Sequence, residues 1–80
     1  MLTAQTIKME EIELDHFGFP GVMVMECEVE CDVDYSGDWF IDRVYLGGKR
    51  TLPDFEKAII AAIYSSERKS DYIRDTMKGE

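Results

Sequence analysis

Met23-Val24-Met25-Glu26-Cys27-Glu28-Val29-Glu30-Cys31-Asp32-Val33-Asp34-Tyr35 is the stretch on which the fold turns. Its odd positions are Met, Cys, Val or Tyr, and its even positions from 26 to 34 are all Glu or Asp. A period of two belongs to an extended strand, whose successive side chains point to opposite faces. The pattern therefore predicts a strand with one apolar face and one face carrying Glu26, Glu28, Glu30, Asp32 and Asp34. Met23 and Met25 share the parity of the apolar side and are expected in the core.

Upstream, an extended segment is expected from Thr6 to Asp15. Ile12 and Leu14 alternate with Glu11, Glu13 and Asp15, whereas Ile7 and Met9 have the opposite parity. A bulge near Glu10 would bring all four apolar side chains onto one face. Phe17-Gly18-Phe19-Pro20-Gly21 has turn composition and offers two aromatic rings to cap one end of the core. Downstream, Ser36-Gly37-Asp38 closes a hairpin, and Trp39 to Leu46 forms a third strand. Apolar residues occupy both parities of that strand, which predicts that it is the central or most covered one. Gly47-Gly48 ends it.

A helix opens at Thr51-Leu52-Pro53-Asp54, with Pro in its first turn and Asp54 and Glu56 suited to the positive end of the helix dipole. Phe55, Ile59, Ala62, Ile63 and Ser66 form its apolar stripe, with Ile60 and Tyr64 to one side. Asp71 to Lys78, carrying Ile73 and Met77, continues this helix or makes a second. The expected fold is α+β: a three-stranded antiparallel sheet with one long or two short C-terminal helices packed on one face. Residues 1–80 are expected to form a single domain.

A domain of 80 residues buries only about 60% of the surface its unfolded chain exposes, and its stability should be about 4 to 12 kcal/mol. Homodimerisation would enlarge so small a core. There is neither an 18-residue apolar run nor a basic start followed by a short apolar stretch. A cytoplasmic location is therefore expected. Cys27 and Cys31 lie four residues apart on one strand face, a separation of about 13 Å and far beyond disulfide reach. Both are expected to be small buried hydrophobes of a reducing compartment.

The formal charge is −8, and its distribution is uneven. Met9 to Asp42 contains eleven acids and no Lys or Arg, whereas Arg43 onward contains eight bases and six acids. An acidic sheet half joined to a mildly basic helical half argues against direct nucleic-acid binding and for a basic protein surface as partner. Alternate strand residues are about 6.6 to 6.8 Å apart, close to the roughly 6 to 7 Å between neighbouring phosphates along a nucleic-acid strand. The carboxylate row can therefore imitate a phosphate row. If the first two strands pair, Glu11, Glu13 and Asp15 are expected to add a second acidic row on that face. Two like charges at about 6.7 Å in water repel by roughly 0.6 kcal/mol before screening, a penalty that alternating Glu with Lys would avoid.

Other chemistry finds less support. Asp32, Asp34 and Ser36 followed by Gly37 match positions 1, 3, 5 and 6 of a calcium loop, with Asp38 next, but the twelfth position is Arg43 where a bidentate Glu belongs. The same residues fit the end of the acidic row and a hairpin turn. His16 is the single histidine, no nucleophile is tied to it by a motif, and Gly47-Gly48-Lys49-Arg50 lacks phosphate-loop spacing. No enzyme activity, cofactor or metal is expected.

The run from Val22 to Ile63, with its acidic-outward strand, the aromatic strand Trp39-Phe40-Ile41-Asp42-Arg43-Val44-Tyr45-Leu46 and a Pro-started helix, resembles small acidic proteins of bacteriophages and mobile elements. In size and charge it is similar to anti-CRISPR proteins, several of which occupy the DNA path of a CRISPR effector. The resemblance implies an inhibitor in the bacterial host cytoplasm. In that role Glu26, Glu28, Glu30, Asp32 and Asp34, with Glu11, Glu13 and Asp15, would meet Lys and Arg side chains that normally hold DNA. The competing expectation is a homo-oligomeric structural or adaptor protein whose contacts use Ile60, Tyr64 and Tyr72.

Overall fold

The structure, a computed structural model, describes residues 4–78. Four strands, β1 (Gln5–Glu13), β2 (Met23–Val33), β3 (Trp39–Leu46) and β4 (Lys49–Arg50), form an antiparallel sheet in chain order. Two helices, α1 (Pro53–Ser65) and α2 (Glu67–Lys78), pack against it. The fold is α+β as expected, with one strand more than the three anticipated. That strand arises because Gly47 and Gly48 both have positive φ, 60° and 84°, which suits a two-residue hairpin turn. The turn pairs Leu46 with Lys49 and Tyr45 with Arg50.

The expected irregularity in β1 is present, and β2 shares it. Ile7 and Met9 are buried on one parity, Ile12 and Leu14 on the other, and Glu11 between them has φ 56°. A left-handed residue reverses the pleat at a cost of roughly 1–2 kcal/mol for a side chain other than Gly. The ladder keeps one register across this point, Glu10↔Glu26 before and Ile12↔Val24 after. Both strands therefore turn over together. Val24 is buried, while Met23 and Met25 are 49% and 61% exposed. The expectation that these methionines lie in the core is thus corrected, because the inner phase of β2 changes between Val24 and Cys27.

A second irregularity explains the two apolar parities of β3. Glu30 pairs with Arg43 but Cys31 pairs with Ile41, leaving Asp42 as the extra residue of a bulge. Ile41 and Val44 consequently face the core from opposite parities, while Phe40 is exposed. The central strand is β2, flanked along its length by β1 and β3. β3 meets β4 only at Tyr45 and Leu46.

The rest of the β3 edge is closed by side chains and by the chain entering α1. The Ile41 N–H donates to the Tyr64 hydroxyl at 2.9 Å, and the Val44 N–H to Glu56 Oε2 at 2.9 Å. The Val44 carbonyl accepts from the Thr51 N–H at 3.0 Å. Tyr64 also packs its ring on Trp39, 5.5 Å between centroids. It thus works inside the chain, although it remains 47% exposed. Ile59, Ala62 and Ile63 are buried as the stripe requires, and Phe19 meets Phe55 edge-on at 5.1 Å, capping the core at the β1–β2 turn.

Cys27 and Cys31 are buried and unbridged. Burial pushes their thiols up to about 11 and about 12. At pH 8 neither should react with a disulfide reagent in the native protein, whereas denaturant should release both, read as thiolate absorbance. Because folding raises these values, the thiols contribute stability fully below the ordinary value of 9.0. That contribution is lost as pH rises from there toward the folded values. Rapid native-state labelling would contradict this placement.

Candidate functional site: the outer face of the sheet

The face of the sheet away from the core carries the row proposed from sequence, in altered company. Glu26 and Glu28 are exposed, Glu30 and Asp32 half-buried. Their positions on the central strand fix them, since β2 is hydrogen-bonded on both sides. Asp34 does not continue the row. It lies beyond the end of β2, and its Oδ1 accepts from the N–H groups of Ser36 at 2.9 Å and Asp38 at 3.0 Å, which holds the β2–β3 turn. Asp32 Oδ1 accepts from the Val33 N–H at 2.8 Å. No cluster suited to a metal ion occurs among the described residues.

The second acidic row is also corrected. Residues Thr6, Lys8 and Glu10 of β1 stand opposite Glu30, Glu28 and Glu26. Glu13 pairs with Met23, beyond the point where the strands turn over. Glu11 is exposed at the turnover itself, and Asp15 lies in the following turn, where its Oδ1 accepts from the Gly21 N–H at 2.6 Å. That bond, then a hydrogen bond with the Glu13 carboxyl and the charge of His16, holds the Asp15 carboxyl below its ordinary value. Glu11, Glu13 and Asp15 therefore extend the face at one end and do not double the row.

Two bases join the acidic face from just outside the base-free stretch. Lys8 precedes it and Arg43 follows it, and strand pairing sets both beside β2. Lys8 Nζ is 2.7 Å from Glu26 Oε2, and Arg43 Nε is 3.9 Å from Glu30 Oε1. The Lys8 ammonium is held above its ordinary value by its hydrogen bond to Glu26 and that group's charge, then by Glu10 and Glu28. Arg43 is likewise raised, first by the Tyr45 side chain and then by Glu30.

No family model, curated protein or solved structure matches this chain. The reading of the face rests on its own geometry. Glu28 has no ion-pair partner among the described residues. Glu30 Oε1 is shielded from solvent yet has no hydrogen-bond partner there. Phe40 stands opposite Asp32 and Tyr45 opposite Glu28, so an aromatic edge runs beside the carboxylates. Such a surface can hold cationic side chains by charge and by contact with ring faces.

One carboxylate, read from the sequence only as a partner of the helix dipole, has a different role. Glu56 is buried, accepts from Val44, and takes two bonds from Arg50, Nε to Oε2 at 3.1 Å and Nη2 to Oε1 at 3.2 Å. The Arg50 bond and then the Val44 N–H hold its carboxyl below the ordinary value, against the opposing effect of burial.

Proposed function

We propose that this chain is a small acidic, non-enzymatic inhibitor whose sheet face binds the basic nucleic-acid-binding surface of a partner protein and blocks its access to DNA. The observation that carries this is the placement of Glu26, Glu28 and Glu30 on the central strand. They stand on the face away from the core, and among the described residues no cation lies within ion-pair distance of Glu28, although Lys8 stands opposite it across the ladder. Spacing near 6.7 Å matches what a phosphate-reading row of Lys and Arg is built to meet. Lys8 and Arg43 stand beside two of the carboxylates, so charge on the face is patterned and not uniform, which favours specificity over generalised attraction.

Groups with catalytic potential are committed elsewhere, Glu56 to Arg50 and Val44, and the two thiols to the core. The anti-CRISPR resemblance makes a CRISPR effector complex in the bacterial host cytoplasm the partner of first choice. No helix among the described residues is long and apolar enough to cross a membrane. Affinity capture from a bacterial lysate tests the proposal. Nucleic-acid-binding proteins should be retained at low salt, lost at high salt, and displaced by added duplex DNA. Partners held equally at both salt concentrations and indifferent to DNA would refute it.

A further inference from the structure

The outer edge of β1 is the one long strand edge left largely open among the described residues, met at the Glu10 carbonyl by Lys69 Nζ. β1 ends the sheet, and the opposite margin is closed by Tyr64, Glu56, Thr51 and the two-residue β4. We infer that a second copy of this chain pairs here, β1 against β1 in antiparallel sense about a two-fold axis at Met9.

Charge selects that register. Antiparallel pairing about Met9 sets Lys8 opposite Glu10 of the second copy, and Glu10 opposite its Lys8. Centring on Lys8 would oppose two lysines, and centring on Ile7 would oppose Lys8 to Thr6. Within one chain Glu10 already stands opposite Glu26, a like-charged cross-strand pair that destabilises the sheet. Lys8 of the same chain already meets Glu26 at 2.7 Å, and the second copy's lysine would bring Glu10 a cation of its own. A lysine on an edge ordinarily prevents strand addition, but a lysine and a glutamate two residues apart on one face are complementary to their own reversed copy.

The surroundings agree with this occupant. An open groove of about 470 Å³ runs between this edge and the start of α2, lined by Met9, Lys69 and Tyr72 among others, and Tyr72 is 54% exposed. A second chain would cover that ring. Lys69 Nζ reaches the Glu10 carbonyl at 3.0 Å, leaving that oxygen a second lone pair. At this register Ile7 falls opposite the left-handed Glu11 of the second copy, so regular pairing is confined to Lys8, Met9 and Glu10 of each chain; each copy has one such edge, so association closes at two chains and does not propagate. The acidic rows on β2 of the two copies would lie about 14 Å apart, three strand spacings, beyond the roughly 8 Å Debye length at physiological salt. Repulsion between them is therefore largely screened.

This inference is independent of the acidic-face reading, and its test needs no partner. Sedimentation of the full chain at physiological salt should show a monomer–dimer equilibrium. Lys8→Glu and Glu10→Lys each set like charges opposite one another twice, and each should raise the dissociation constant by about tenfold or more. The double swap Lys8→Glu/Glu10→Lys should restore dimer formation, with circular dichroism showing that every variant is folded. A chain that stays monomeric at all concentrations overturns the inference, as does a dimer indifferent to the single reversals or one not rescued by the swap.

Discussion

Replacing Glu28, Glu30 and Asp32 together by lysine should weaken partner binding by on the order of a hundredfold or more, and should flatten its salt dependence. Each replacement turns an attraction for a basic surface into a repulsion, and desolvated charge pairs at interfaces are commonly coupled by more than about 1.5 kcal/mol. The fold should survive, because none of the three side chains belongs to the core. Lys8→Ala and Arg43→Ala give the opposite sign. Removing the cation beside Glu26 or Glu30 exposes a carboxylate to the partner and should tighten binding by a few-fold. Reversal of Glu67, Asp71 and Asp75 changes net charge equally on α2, a helix packed against the core side of the sheet, and should have little effect. Titration calorimetry at two salt concentrations separates these outcomes. Equal losses from the α2 and β2 reversals would mean that the partner responds to total charge, and the face would lose its role.

The strand pattern was legible wherever polar and apolar residues differ, and ambiguous where they do not. Ile7 and Met9 against Ile12 and Leu14 betray the pleat reversal in β1, because charged residues fix the phase on both sides. In β2 the matching reversal is silent: Met23, Val24 and Met25 are all apolar, so either phase satisfies the pattern. β3 had the same ambiguity. Apolar residues on both parities fit a strand covered on two faces or a strand with a bulge, and only the pairing of Glu30 with Arg43 beside Cys31 with Ile41 decides for the bulge. Lys8 and Arg43 were missed as members of the acidic face because charge was read along the chain, whereas pairing draws neighbours from adjacent strands. Asp34 and Asp15 carried turn signals as well as charge, and their backbone hydrogen bonds place them in turns.

Glu56 had only its place in the first helical turn to mark it, and its actual role needs tertiary structure. Glu56→Ala should cost about 2 to 3 kcal/mol, lowering the melting temperature by roughly 10 to 20 °C in a domain of this size. The loss has two parts. The Val44 N–H, on a strand edge that no other strand covers, is left without an acceptor, and the methylenes of a buried side chain are removed. Arg50 stays half-exposed and is rehydrated, so the penalty of a stranded buried cation does not apply. Glu56→Gln retains an acceptor for Val44 but not the charge-assisted bonds from Arg50, and should lose about half as much. The acid limb of the stability curve separates the two contributions. Since folding lowers the Glu56 carboxyl below its ordinary value of 4.5, the ion pair contributes fully above that pH and fades as pH falls toward the folded value. The gap between wild type and Glu56→Gln should therefore narrow in acid, while the gap between Glu56→Gln and Glu56→Ala stays constant. A Glu56→Ala protein melting within about 2 °C of wild type would show that water satisfies the β3 edge as well as the carboxylate does.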